Sequence, residues 1–325
     1  MLIEGCSMPI KVSICMPVYN SAAYLGAAIE SALGQQYGCF EILIVDDGST
    51  DGSADIAADF ARRFSVIRFV CNSHNIGMVA NWNRCLELAR GEYIKFLFGD
   101  DLLTAPDAIE RLAAVLDRHQ EVALAGSFRT IVDSGGRVLA ERGFAPTGRV
   151  VLGHQAIRDC LTAARNYIGE PTVVMFRRQQ ALRGFDPAYR QMVDLEMWFY
   201  LLMQGALWVE RQPLAAFRQH EGQQTVRNVG ELVHLEETLR LYDHYLHASG
   251  IRLPRLLETA LYYVQCYRVW KGYRYKGVLD RDYVDTIIGR YMSVKCFKIF
   301  IPVYKVLNPF WKFFLSARRY NPLTR

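Results

Sequence analysis

Apolar residues arrive in two alternating rhythms over the first 130 positions of this 325-residue chain. Residues 10–18 (IKVSICMPV) and 41–47 (EILIVDD) are short runs rich in β-branched side chains, without strict apolar-polar alternation. That pattern predicts strands covered on both faces of a parallel sheet. Between them Tyr24–Gln35 has a helical pattern. The cycle then repeats, with a helix over Ala54–Arg63, a strand over Val66–Cys71, a helix over Met78–Arg90 and a strand over Glu92–Phe98. Such alternation predicts an open α/β sheet with helices on both faces. The element ends agree. Thr50-Asp51-Gly52-Ser53 offers hydroxyls and a carboxylate before a helix, and Gly91 stands where a left-handed residue is expected just past the third helix. Ala105-Pro106-Asp107 opens a helix running to about His119. Beyond Val122–Thr130 the turn Asp133-Ser134-Gly135-Gly136 predicts a hairpin, and the periodicity becomes less regular. From Glu231 onward the chain reads as mainly helical, with no internal repeat.

Composition narrows the choices. Hydrophobic residues at 51% and charged ones at 22% allow a substantial core. The eight cysteines include no Cys-x-x-Cys pair, which argues against a disulfide framework and a zinc knuckle. The net charge of +5 is concentrated at the end: residues 286–325 carry eight Lys and Arg and no acid, leaving 30 basic against 33 acidic residues before them. No basic stripe lies on the α/β region, so no nucleic-acid partner is expected. Residues 288–320 combine aromatic and aliphatic side chains with spaced lysines. Their uncharged stretches are far shorter than the ~20 residues needed to cross a bilayer. Two readings stay open there: a segment lying in the membrane interface, or a helix packed on the protein with its lysines in solvent. Met1–Met8 lacks the pattern of a secretory signal, so a cytoplasmic location at the inner face of the membrane is expected.

Ligands of open α/β sheets bind beyond the carboxyl ends of the strands. Three segments fall there: Pro17-Val18-Tyr19-Asn20 after the first strand, Asp46-Asp47 after the second, and Asp100-Asp101 after the fourth. Adjacent carboxylates are costly unless a cation sits between them, as when a divalent ion bridges phosphate oxygens. The alternative for Asp46-Asp47-Gly48-Ser49 and for Gly99-Asp100-Asp101 is a polar turn leading into the next element. No G-x-G-x-x-G or G-x-x-x-x-G-K-[ST] loop occurs, so phosphates have to be neutralised by metal and side chains.

The chain resembles the family 2 glycosyltransferases of the GT-A fold. The likeness runs from Ser13-Ile14-Cys15-Met16-Pro17-Val18-Tyr19-Asn20, through Ile44-Val45-Asp46-Asp47-Gly48-Ser49-Thr50-Asp51 and Asn75-Ile76-Gly77, to Ala89-Arg90-Gly91-Glu92-Tyr93-Ile94 and Asp100-Asp101, with weaker matches to His220. It implies a Rossmann-like open mixed sheet over residues 8–225, with a donor half about 8–103 and an acceptor half about 104–225, followed by a mainly helical region 226–325. It implies that Pro17, Val18, Tyr19, Asn20, Asp46, Asp47, Asn75, Gly77, Asp100 and Arg218 bind the nucleotide sugar. Asp100, Asp101 and His220 would hold a divalent cation, Mg²⁺ or Mn²⁺. Asp194, in Val193-Asp194-Leu195-Glu196, would be the catalytic base. Three positions depart from the pattern: Phe98 stands where the first acid of a D-x-D motif is common, Val193 where a Glu precedes the base, and Trp82 where an Arg is frequent. Taken on their own residues, Asp194 also reads as a helix N-cap, His220 as an ordinary loop or core histidine, and His244 with His247 as a solvated helix face.

The resemblance implies sugar transfer from a nucleotide diphosphate donor to an acceptor hydroxyl, by metal-assisted single displacement with inversion. If the C-terminal segment meets the membrane, a lipid-linked saccharide acceptor in cell-surface polysaccharide or O-antigen synthesis is expected. Two alternatives stand beside this. One is a sugar nucleotidyltransferase, which opens with a Gly-rich loop where this chain has Pro17–Asn20. The other is a non-catalytic scaffold of a polysaccharide complex, favoured by Phe98 alone.

Overall fold

A computed structural model describes residues 9–143, 147–223, 228, 232–248, 250–275 and 281–302. Its first elements are β1 (Val12–Val18), α1 (Ala22–Leu33), β2 (Phe40–Asp46), α2 (Ser53–Arg63), β3 (Ile67–Cys71), α3 (Met78–Leu88) and β4 (Tyr93–Phe96). The four strands run parallel in the order β3-β2-β1-β4. Every residue of β1 and β2 is buried, which is why their sequences show no alternation.

The chain continues with β5 (Leu102–Leu103), α4 (Ala108–Arg118), β6 (Val122–Val132), β7 (Val138–Arg142), β8 (Val150–Leu152), α5 (Gly153–Ala163), β9 (Val174–Arg177), α6 (Val193–Leu202) and β10 (Ala206–Arg218). The sheet grows to ten strands, ordered β3-β2-β1-β4-β9-β6-β10-β5, with β7 beside β6 and β8 beside β10. β9 enters antiparallel to both β4 and β6, whereas β6 and β10 are parallel. The open α/β sheet expected from the pattern is therefore present, and it is mixed, as the resemblance implied, with one strand of the later half set against the last strand of the earlier one. The predicted hairpin joins β6 to β7, where Asp133 Oδ1 accepts from the amides of Gly135 and Arg137 at 3.0 and 2.9 Å.

Asp51 starts two helices at once. Its Oδ2 accepts from Ala22 N at 2.9 Å, at the head of α1, and its Oδ1 from Ser53 N at 3.0 Å, at the head of α2. Gly91 departs from expectation, because α3 ends in extended backbone at Ala89 and Gly91 is not left-handed. Its requirement is close approach: a Cβ there would lie 2.4 Å from Ser13 N. Gly91 N instead donates to Ser13 Oγ at 2.8 Å, and that hydroxyl donates to Glu41 at 2.6 Å, tying the amino ends of β1, β2 and β4 together.

The chain forms two compact units. One comprises the described residues of Met1–Ala156, Asn166–Tyr189 and Val193–Gln223 and carries the sheet; the other comprises those of Ile157–Arg165, Arg190–Met192 and Gln224–Arg325. The second unit contains α7 (Val233–Leu246), α8 (Arg255–Tyr275) and α9 (Arg281–Gly289), and residues 294–302 are helical. Among the described residues no helix is long and apolar enough to cross a membrane. The basic segment 288–320 lies outside the described residues beyond position 302.

Candidate active site

The carboxyl ends of β1 and β2 form the first wall. Asn20 is held left-handed at φ +50°, with its Oδ1 accepting from Thr50 N at 2.8 Å and its own amide donating to Ser49 Oγ at 2.9 Å. This leaves Tyr19 half exposed at the rim, while Pro17 and Val18 are buried in the strand. Asp46 and Asp47 have different environments. Asp46 is fully buried; its Oδ2 accepts from Ser49 N at 2.9 Å, and its Oδ1 has no partner among the described residues. The polar turn weighed as an alternative therefore exists, and it still leaves one carboxylate oxygen for a ligand. Asp47 is saturated. Its oxygens accept from Asn72 Nδ2 at 2.8 Å, Ile76 N at 2.9 Å and Gly77 N at 3.0 Å, so it fixes the loop that carries Asn75 and Gly77. Gly48, at φ +69°, lets that loop approach: a Cβ there would sit 3.1 Å from Asn75 N.

At the end of β4 the two adjacent acids part. Asp100 Oδ2 stands 3.0 Å from His220 Nε2, just beyond β10, and the His220 ring lies 5.0 Å from that of Tyr24. Asp101 turns inward and is fully buried; its Oδ1 accepts from Arg218 N at 3.0 Å and its Oδ2 accepts from the Thr172 hydroxyl. Burial, with the Asp100 carboxylate beside it, holds Asp101 well above the usual carboxylate range. Of the three expected metal ligands, the structure brings Asp100 and His220 together and does not bring Asp101 to them. Arg218 is likewise turned to the protein. Its guanidinium donates to the carbonyls of Asp100, Asp133 and Ser134 at 2.9, 3.2 and 3.1 Å and lies over the Tyr24 ring. It clamps the Asp100 backbone from below.

No group of three or more His, Cys, Asp or Glu among the described residues could hold a cation alone. Asp100 and His220 nevertheless fit one that completes its shell with substrate oxygens and water, since Mg²⁺ is commonly bound by one or two carboxylates plus substrate phosphates.

Asp194 is the second residue of α6 and sits inside its first turn, so it is not the N-cap. Its Oδ1 accepts from Leu195 N at 2.7 Å and its Oδ2 from Asn166 Nδ2 at 3.3 Å. Crowding by protein raises it to about 7, with a contribution from the Glu170 carboxylate and with Arg129 acting against. A carboxyl poised near neutrality suits proton abstraction. α6 is fixed by a bidentate ion pair, Glu196 with Arg183 at 2.9 and 2.6 Å, and by Trp198 Nε1 donating to Gly169 O at 3.0 Å.

Sequence reasoning missed the loop 166–172, which connects the two halves of the site. Asn166 touches Asp194, Glu170 pairs with Arg129 and raises both Asp194 and Asp101, and Thr172 bonds Asp101. Gly169 at φ +113° makes the bend, since a Cβ there would be 2.6 Å from Val173. Lys95 was missed as well. It lies buried in β4, donates to Thr172 O, and is pushed down to about 7 by burial, with Asp101 acting against. The available signal was a single charge inside the apolar run Tyr-Ile-Lys-Phe-Leu-Phe. Two departures from the family pattern also prove to be neighbours: the rings of Phe98 and Trp82 stand 5.0 Å apart, and Phe185 meets Trp82 edge-on at 5.1 Å. An aromatic contact occupies the two positions where the resemblance led to the expectation of an acid and an arginine.

A mixed α/β sheet that delivers carboxylates from two parallel strand ends to one rim, with an unpaired Asp46 oxygen and a carboxyl poised at the head of a helix, is the arrangement expected of a nucleotide-sugar transferase of the GT-A class. The model of glycosyl transferase family 2 matches residues 13–182, more than half of the sequence, and the chain belongs to that family. It is 30% identical to "Putative glycosyltransferase EpsE" of Bacillus subtilis (strain 168) over 234 residues, 67% of this chain and 79% of that one. Its fold is similar to S. aureus TarS 1-349 in complex with UDP-GlcNAc, with TM-score 0.60 and 20% identity over 78% of this chain and 70% of the other. It is similar too to the mannosyltransferase PcManGT from Pyrobaculum calidifontis in complex with GDP-Man and Mn²⁺, with TM-score 0.58 and 13% identity over 95% and 84% of the two chains.

Proposed function

We propose that this glycosyltransferase moves a sugar from a nucleoside diphosphate donor to an acceptor hydroxyl by a single, metal-assisted displacement with inversion. The observation that carries the proposal is the loop 166–172, which couples Asp194 to the acids behind β4. The nucleoside lies along Pro17–Asn20, with Asp46 Oδ1 as the buried acceptor for a donor group of the base or ribose. Asp47 acts indirectly, holding Asn75 and Gly77 in place. Asp100 and His220 would hold the divalent cation, which when bound supplies positive charge against the departing diphosphate. Asp101 and Arg218 support Asp100 from the protein side.

Asp194 in its ionised form takes the proton of the acceptor hydroxyl. The acceptor oxygen bonds to the anomeric carbon as the bond from that carbon to the phosphate oxygen breaks, and the nucleoside diphosphate leaves. Removing such a base costs about 10²–10⁴ in rate. The basic, aromatic composition of 288–320 supports peripheral contact with the cytoplasmic face of a membrane and, with it, a lipid-linked saccharide acceptor of a cell-surface polysaccharide pathway. The PcManGT complex with GDP-Man and Mn²⁺ supports a cation, and the TarS complex with UDP-GlcNAc supports a nucleotide-sugar donor.

Calorimetric titration of UDP, GDP and dTDP, with and without Mn²⁺, tests this on the intact chain and on Asp100→Ala. Tight binding of one nucleotide that requires Mn²⁺ and is lost in the variant is expected. Binding of none of the three would refute the proposal and favour a scaffold.

A further inference from the structure

Lys95 is the charged residue of β4. Tyr93, Ile94 and Phe96 around it are fully buried, and Lys95 itself is 1% exposed, in register with Ile14 of β1 and Met175 of β9. Among the described residues its ammonium donates to Thr172 O, and the Asp101 carboxylate acts on it through space without an ion pair. A cation so buried costs more than an apolar side chain of similar length, and exchanging buried ions for apolar residues is often neutral or stabilising. Packing alone gives no reason for the charge. What it grips does.

Thr172 ends the loop 166–172, which lies in the same compact unit as β4. Two pins hold the backbone of this loop. At one, Trp198 Nε1 of α6 and Asn166 Nδ2 donate to Gly169 O at 3.0 and 3.2 Å, and Gly169 N donates back to Asn166 Oδ1 at 2.9 Å. At the other, Lys95 holds the Thr172 carbonyl. Between them Val173 N donates to Glu170 O at 3.0 Å across a single tight turn, so a shift at Thr172 passes to Glu170 and Gly169. The groups that face Asp194 depend on this frame. Asn166 donates to its Oδ2 at 3.3 Å, the Glu170 carboxylate acts on it from the loop, and Arg129 of β6, paired with Glu170, acts on it from the sheet.

We propose that Lys95 is a positioning residue for the transfer reaction: by gripping Thr172 O from inside the sheet, it holds loop 166–172 in the conformation that brings Asn166 to Asp194. It acts through the loop and not on the substrate. The consequence for turnover rests on Asp194 as the base proposed above, whereas the coupling of Lys95 to Asp194 is read without substrate.

A double-variant cycle on the intact chain tests this. Titration of the Asp194 carboxyl is followed by NMR of protein labelled at its aspartate carboxyls, the resonance being identified by its loss in Asp194→Asn. In the native background Asn166→Ala moves the titration to higher pH. In Lys95→Met, which nearly keeps the length of the side chain and removes the donor, the same substitution should move it less than about half as far. The amides of residues 169–173 should exchange hydrogen about tenfold faster or more in Lys95→Met, and kcat for transfer should fall by up to about 10²-fold. Lys95→Gln, with a donor on a shorter arm, should lie between the native protein and Lys95→Met, and takes its place if that variant does not fold. An Asn166→Ala effect of full size in the Lys95 variants, with loop exchange as in the native protein, shows that the lysine only fills space and overturns the proposal, whatever the melting temperature. If Asp194→Asn keeps its kcat, the base assignment falls; if Asp194→Asn loses it and the Lys95 variants show no coupling, this inference alone falls.

Discussion

Asn in place of Asp194 removes the proposed base while keeping the shape of the side chain, and the environment of that carboxyl sets the size of the effect. With Asp194 raised to about 7, roughly one tenth of it is ionised at pH 6 and roughly nine tenths at pH 8. The kcat/KM of the native enzyme should rise about tenfold between these values and then level off. Asp194→Asn should lower kcat by about 10²–10⁴ and leave nucleotide affinity unchanged. Two neighbours move the profile in opposite directions. Glu170→Gln withdraws a negative charge and should shift the rise to lower pH, whereas Asn166→Ala withdraws a hydrogen-bond donor to the ionised form and should shift it to higher pH.

Stability supplies a second reading of the same carboxyl. Because its folded value lies above its unfolded value, the stability it contributes is complete below about pH 3.8 and is lost as the pH rises through about 7. The loss is at most about 4 kcal/mol, and smaller because the half-buried carboxyl keeps some contact with water. Asp194→Asn escapes it, so its melting temperature relative to the native protein should climb from pH 5 to pH 8. Radiolabelled transfer assays and thermal melts across that range measure both effects. A variant that keeps kcat within threefold, or a native profile flat from pH 6 to pH 8, would refute the assignment.

The other site residues give separate signatures. His220→Ala should weaken Mn²⁺-dependent nucleotide binding about tenfold or more without changing metal-free binding, read by calorimetry. Asp47→Ala strands the Asn72, Ile76 and Gly77 donors; it should destabilise the fold by about 1–3 kcal/mol in urea unfolding and make the 72–77 loop exchange amide hydrogen faster. Gly91→Ala forces a methyl against the β1 backbone and should cost about 1–3 kcal/mol or more, whereas Gly26→Ala, with nothing within 4 Å, should not destabilise. Phe98→Asp and Trp82→Arg should each destabilise the protein, and the double variant should be better than their sum by about 0.5–3 kcal/mol, because the two side chains are in contact.

What the sequence made legible was the parallel core and the places where its strands stop. Runs such as IKVSICMPV and EILIVDD are apolar because both faces are covered, and that same fact locates Asp46, Asp47, Asp100 and Asp101 at one edge. The division of labour within each acid pair was not legible. Whether a carboxylate faces a ligand or the protein is decided by partners far along the chain: Asn72 and Gly77 for Asp47, and Thr172 and Arg218 for Asp101. β9 was hidden for a related reason. Four residues, Val174–Arg177, are too few to distinguish a strand from one turn of a buried helix, and only pairing with β4 and β6 fixes their conformation. Gly91 shows how a correct residue can carry a wrong reason, since a glycine after a helix fits a left-handed turn and a close strand contact equally well.

The antiparallel seat of β9 bears on how such enzymes can diversify. A natural seam for exchanging the later half of the sheet would lie after β4, near position 103, yet the edge of β4 is closed by a strand from about 70 residues further on. A graft that kept residues 9–103 and replaced everything after them would leave Tyr93, Ile94 and Lys95 with open backbone groups along an apolar edge, a template for aggregation. New specificities are therefore more accessible through change within the loops that β9 and α6 hold in place than through wholesale recombination of the two halves.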